Sequence, residues 1–156
     1  MIMQLSSKGL EAIKFFEGLR LEAYKDSAGI PTIGYGTIRI NGRPVTMGMK
    51  ITAEQAVQYL LADVESYVGA VNRAIKVPTT QNEFDALVVE TYNIGIGAMQ
   101  DSTFIKRHNA GNKAGCAEAM QWWNKITVNG QKVTSKGLQN RRSLEAKIYL
   151  DAVYPK

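Results

Sequence analysis

Phe16-Glu17-Gly18-Leu19-Arg20-Leu21-Glu22-Ala23-Tyr24-Lys25-Asp26-Ser27-Ala28-Gly29-Ile30-Pro31-Thr32-Ile33-Gly34-Tyr35-Gly36-Thr37 is the stretch that decides the fold. Glu17 stands where a helix should stop, because Gly18 follows it and glycine is favoured just past a helix C-terminus. Asp26 falls in the turn-prone run Lys25–Gly29, between the apolar segments Leu21–Tyr24 and Ile30–Tyr35. Thr32 opens a glycine-punctuated strand. A carboxylate at the negative end of a helix is disfavoured as an anion, which suits a group that gives away a proton. One acid on a helix end facing another on a loop is the pairing used to break a glycosidic bond.

Outward from this stretch the chain reads as alternating signals. Ser6 or Ser7 is an N-cap, and Leu10, Ile13 and Phe16 recur at helical spacing up to Glu17. Between residues 19 and 45, Ile33, Tyr35, Ile38, Ile40 and Val45 are β-formers separated by glycines, and Asn41-Gly42 marks a hairpin turn. The glycines here serve turn geometry or the close approach of a substrate to the backbone.

Thr52-Ala-Glu-Gln55 is a capping box that opens a long helix with the apolar stripe Ala56, Tyr59, Leu60, Val64, Tyr67, Val68 and Val71, ending near Ala74. Thr80-Gln-Asn-Glu83 is a second box. The helix it opens carries Phe84, Leu87, Val88, Thr91 and Tyr92, belongs at the centre of a larger lobe, and ends on the glycines of Asn93–Gly97 as C-caps. Ser102 caps a short helix running to Asn109, and another begins at Asn112 and reaches Trp122-Trp123. One tryptophan is expected in the core; the other packs similarly or lines a groove. Val128–Val133 reads as a tight hairpin-like connection, and Gly137–Glu145 opens the last helix, with Leu138, Leu144, Ile148, Tyr149 and Val153.

Bulk properties narrow the chemistry. The chain has 156 residues, 45% hydrophobic and 21% charged, enough for one core or one core with a small lobe. No apolar run approaches the roughly 20 residues that span a bilayer, so no stable membrane insertion is expected, and no secretory signal is visible at the N-terminus. One cysteine, Cys116, allows no internal disulfide and fits a reducing cytoplasm. The single histidine, His108, lacks the company that a triad or a metal site needs and reads as a surface or capping residue. No metal and no cofactor are expected. The net charge of +5 favours an anionic partner, but the basic residues are dispersed, with no stripe interleaved by aromatics, so nucleic acid is not expected.

Glu17, Asp26 and Thr32, with eight and five residues between them, resemble the catalytic signature of phage-type lysozymes, the endolysins of glycoside hydrolase family 24. The surrounding Glu17-Gly-Leu-Arg-Leu, Tyr24-Lys-Asp and Thr32-Ile-Gly-Tyr-Gly36 agree, as do Tyr92-Asn-Ile-Gly-Ile-Gly97 and Gly137-Leu-Gln-Asn-Arg-Arg-Ser-Leu-Glu145. The resemblance covers Ser6 to about Leu150. It implies an α+β lysozyme-like fold: a small antiparallel β lobe (residues 19–52), a linking helix (53–74) and a helical lobe (75–156, with the N-terminal helix 6–18), with the active-site cleft between lobes.

It further implies a monomeric muramidase acting on bacterial peptidoglycan, held in the host cytoplasm until a holin admits it to the wall. Glu17, Asp26 and Thr32 would be catalytic and Gly36, Arg141 and Arg142 supporting, with Arg141 pairing with Glu17. Read without the resemblance, the two arginines are equally an exposed basic helix start. A non-catalytic wall-binding module on the same fold is the other reading; it would lack an acid. One departure stands out: many relatives place histidine after Gly-Tyr-Gly, where this chain has Thr37, so a local ion pair is expected to be missing.

Overall fold

A computed structural model describes residues 2–156. Seven helices and six short strands lie among the described residues. They divide into two compact units, one of residues 13–66 and the other of the N-terminal segment up to Ala12 together with Tyr67–Lys156. The division falls inside two helices, α1 (Ser7–Glu17) and α2 (Ala53–Ala74).

In the smaller unit, β1 (Arg20–Lys25) pairs antiparallel with β2 (Pro31–Gly34), with Tyr24 opposite Thr32. The other edge of β1 is covered by the chain near Lys50: Ala23 N–H donates to Met49 O and Ile51 N–H to Leu21 O, both at 2.9 Å. β3 (Arg39–Ile40) and β4 (Arg43–Pro44) form a second hairpin. It turns through Asn41 and Gly42 at φ +51° and +79°, both left-handed, as the Asn-Gly pair requires. Ala23, Ile33 and Val45 form the local core, with Ile40, Met49 and Ile51 packed against it.

Both capping boxes form. Thr52 Oγ1 accepts from Gln55 N–H at 3.1 Å while Gln55 Oε1 accepts from Thr52 N–H at 2.9 Å; Thr80 and Glu83 do the same at the start of α3 (Gln81–Ile94). Residues Glu83 to Thr91 are buried without a break, so α3 is enclosed on all sides within its unit. Gly95 closes it at φ +98°. Gly97, expected as a further cap, instead lies inside the short α4 (Ile96–Gln100), since one left-handed residue is enough to end the helix. α5 (Thr103–Asn109) and α6 (Lys113–Met120) start on Ser102 and Asn112.

β5 (Lys125–Val128) and β6 (Gln131–Thr134) make an exposed hairpin, and α7 (Lys136–Asp151) packs on α3. α7 stops at Ala152, which is left-handed at φ +56°, so Val153 lies beyond the helix and is exposed.

Two further expectations, about burial, also fail. His108 is fully buried, not on the surface. Neither tryptophan is in the core: Trp122 and Trp123 keep 50% and 37% of their surface exposed. Both errors have one origin. The sequence around these residues shows local pattern, whereas burial depends on what the rest of the unit places against them.

Candidate active site

α1 is opened by Ser6, whose Oγ accepts from Gly9 N–H at 3.1 Å, and closed by Gly18 at φ +71°, whose N–H donates to Lys14 O at 3.0 Å. Glu17 is therefore the last helical residue, half-buried, three positions before β1 begins. The left-handed Gly18 lets the chain reverse from helix to strand with so short a link.

Asp26 follows directly on β1. Its Oδ1 accepts from Ala28 N–H and Ile30 N–H, each at 2.9 Å, and its own N–H donates to Ile30 O at 3.0 Å. This is an Asx turn: the carboxylate replaces a backbone acceptor and its orientation is fixed by the loop. Thr32 is buried on β2, and its hydroxyl donates to Ile30 O at 2.9 Å. That commitment leaves the oxygen lone pairs as acceptors.

Antiparallel register brings these groups together. Tyr24 and Thr32 are directly opposed, so their side chains share a face, and Asp26, two residues from Tyr24, falls on that face too. Diagonal neighbours of this kind stand about 7–8 Å apart. Tyr24, which the sequence reading did not single out, thus flanks the Asp26–Thr32 pair. Arg20 lies over its ring at 4.1 Å. In the sequence Tyr24 appears only within the family-like Tyr24-Lys-Asp; its place beside Asp26 and Thr32 follows from the strand register, which needs the turn length to be known. Gly36, at φ +90°, sits in a tight turn closed by reciprocal hydrogen bonds of Ile33 and Thr37 at 2.9 Å.

At Thr37, where a local ion pair is expected to be missing, an uncharged donor makes a hydrogen bond instead. Its buried hydroxyl donates to Asp63 Oδ2 at 2.7 Å. Burial pushes the Asp63 carboxyl up, and the Thr37 hydrogen bond pulls it part of the way back.

Arg141 and Arg142 belong to α7 and do not form an exposed basic helix start. Arg142 is fully buried, its Nε 3.1 Å from Glu145 Oε1 and its Nη1 3.4 Å from Glu90 Oε2, with Nη2 donating to Asn93 Oδ1. It serves the interior of its unit. Arg141 Nε donates to Glu145 Oε2 at 2.9 Å and its Nη2 to Val89 O at 3.3 Å. Burial, and beside it the Glu145 charge, push the Glu90 carboxyl well up; burial also raises Glu145, against the opposing arginines.

The family model for phage lysozymes matches residues 14–145, a span that holds Glu17, Asp26, Thr32 and both arginines. The chain belongs to the phage lysozyme family. This lysozyme is 84% identical to the endolysin from Escherichia coli O157:H7 phage FAHEc1, with a TM-score of 0.96 over 99% of this chain and 98% of that one. It is 39% identical over 150 residues to an endolysin of Acyrthosiphon pisum secondary endosymbiont phage 1, covering 96% of this chain and all of the relative. A SAR-endolysin of Pseudomonas phage phiKMV is 43% identical over 142 residues, 91% of this chain and 86% of the relative. The lysozyme is therefore a glycoside hydrolase of the endolysin type, with the mixed α+β architecture of its relatives.

Proposed function

We propose that the lysozyme hydrolyses the β-1,4 bond between N-acetylmuramic acid and N-acetylglucosamine in peptidoglycan, with inversion, through Glu17, Asp26 and Thr32. The observation that carries this reading is the shared face of Asp26 and Thr32 on the β1–β2 hairpin, three residues beyond the helix end that bears Glu17. Glu17 acts as the general acid and protonates the leaving glycosidic oxygen. A water hydrogen-bonds through one O–H to the Asp26 carboxylate, which takes that proton as the water oxygen attacks, and through the other to Thr32 Oγ1, which only accepts the hydrogen bond because its own proton is held by Ile30 O. The water's remaining lone pair then attacks the anomeric carbon from the opposite side of the ring. The same arrangement disfavours the wall-binding alternative, since no acid is missing from the triplet.

Gly36 shapes the turn beside this face, and Arg141, oriented by Glu145, is proposed as a supporting residue. Arg142 contributes indirectly by holding Glu145. The lysozyme acts as a monomer and reaches the wall from the host cytoplasm by way of a holin. No helix among the described residues is long and apolar enough to cross a membrane.

The test is turbidity loss on purified peptidoglycan, with the first anomer formed followed by proton NMR. Glu17→Gln and Asp26→Asn should each remove nearly all activity while thermal stability stays similar or rises. The wild type should release the inverted anomer. Wild-type lysis rates from Glu17→Gln would overturn the assignment, and a retained anomer would overturn the water-attack route alone.

A further inference from the structure

We propose that the β5–β6 hairpin, with Trp122 and Trp123 at its base, is a docking surface for an anionic phospholipid membrane. The hairpin is regular: four residue pairs from Lys125↔Thr134 to Val128↔Gln131 are in register. Its turn, Asn129-Gly130, is left-handed at both positions, and Ser135 N–H to Asn124 O at 2.8 Å closes the open end. Yet every residue of both strands is exposed. A two-stranded ribbon is marginal alone in water and ordinarily packs one face on a core; here neither face does so.

The two faces differ in kind. Register places Ile126, Val128 and Val133, with Gln131, on one side, and Lys125, Thr127, Lys132 and Thr134 on the other. The three aliphatic residues keep 40–45% of their surface exposed. Trp122 and Trp123 precede the hairpin and are also exposed, with the Arg107 guanidinium 4.8 Å from the Trp122 ring. No Asp or Glu occurs between Glu118 and Glu145, while Lys125, Lys132 and Lys136 are exposed within that span.

Exposed aliphatics beside tryptophan, in a segment carrying positive charge alone, match the chemistry of an anionic membrane interface. The apolar side chains and indoles enter the headgroup boundary, and the lysine stems reach the phosphates. A glycan fits less well, because sugars need hydrogen-bonding groups and aromatic faces, and the apolar side offers only Gln131 as a polar group. Single-stranded nucleic acid needs bases and phosphates met on one surface, whereas here cations and apolar groups are segregated. Three aliphatics and two indoles suffice for reversible adsorption and not for insertion.

The test uses the full chain with vesicles of phosphatidylglycerol and phosphatidylethanolamine, with phosphatidylcholine vesicles and purified sacculi as separate arms. Both tryptophans of the chain lie at this site, so intrinsic emission reports on it directly. Co-sedimentation and a blue shift are expected with the anionic vesicles, weakening as salt rises, and neither with phosphatidylcholine. Ile126→Ser/Val128→Ser/Val133→Ser should lower partitioning by about tenfold or more. Lys125→Gln/Lys132→Gln should lower it roughly fivefold per lysine. All five positions are exposed, so thermal midpoints should hold; if the triple variant fails to fold, Val128→Ser and the lysine pair decide. The proposal is overturned if the wild type ignores anionic vesicles or if the variants bind them equally. It is also overturned if the variants lose binding to sacculi while vesicle binding is absent throughout, which would make the surface a glycan site.

Discussion

Thr37 donates its hydroxyl to Asp63 Oδ2 at 2.7 Å, both within residues 13–66, where many relatives are expected to carry a histidine. The donor is neutral, so the Asp63 carboxyl is raised by burial and only partly lowered by its partner. A carboxyl raised in the folded state stabilises fully below its unfolded pKa and loses that contribution as pH rises through the folded value.

Thr37→Val removes the lowering contact and raises Asp63 further. The variant should lose about 1–2 kcal/mol near neutral pH and clearly less at about pH 3.5, where the group is largely protonated in either state. Urea unfolding at the two pH values checks this. An equal loss at both would show that the hydroxyl contributes packing alone.

His108 should make the lysozyme acid-sensitive. Thr79 Oγ1 donates to Val77 O, so it can only accept from His108 Nε2, at 2.8 Å. Nε2 therefore carries the proton, and Nδ1 accepts from Tyr149 Oη–H at 2.6 Å. The neutral ring is satisfied on both sides. Burial pushes its pKa down, with Lys113 adding and Glu83 opposing. With the folded value depressed, the unfolded chain binds the proton first. Stability should thus fall as pH drops below about 6.5. Tyr149→Phe leaves Nδ1 without its donor and should cost about 1–3 kcal/mol. Denaturant midpoints between neutral and mildly acidic pH should slope in the wild type, and the part of that slope due to His108 should vanish in His108→Gln.

The buried Arg142 should be the least replaceable cation. Removing it strands Glu90 in the interior and leaves Glu145 with Arg141 alone, and Arg142→Met should cost about 3–5 kcal/mol. The loss should grow with pH, because both carboxyls are raised by burial and ionise as pH rises. Glu90→Gln should behave oppositely. The native Glu90 stabilises most when protonated and loses that contribution as pH rises, whereas glutamine cannot ionise. Its stability relative to wild type should improve towards alkaline pH, as thermal melts across the range would register.

Gly18 offers a backbone test at the end of α1. A Cβ added there meets nothing within 4 Å, so the only penalty is the φ of +71°. Gly18→Ala should cost about 1–2 kcal/mol and Gly18→Asn less, since asparagine tolerates the left-handed region better. Equal losses in denaturant melts would point instead to contacts made by the side chains.

Sequence alone determined the features whose causes lie within a few residues of one another. The spacing of Glu17, Asp26 and Thr32, the capping boxes at Thr52 and Thr80, the Asn-Gly hairpin turns and the glycine stops are of this kind, because dihedral preference and capping bonds act over one turn of chain. Tertiary structure decided the fate of polar and aromatic groups with distant partners. His108 is buried because Tyr149 and Thr79, 41 and 29 positions away, complete its hydrogen bonds. Arg142 is buried because Glu90, on another helix, and Glu145 meet it in the interior of its unit. The tryptophans stay partly exposed because the helical unit covers them only in part, Trp122 by the Arg107 guanidinium. Desolvating such a group is unfavourable unless its partners are in place, and only the folded chain brings those partners together.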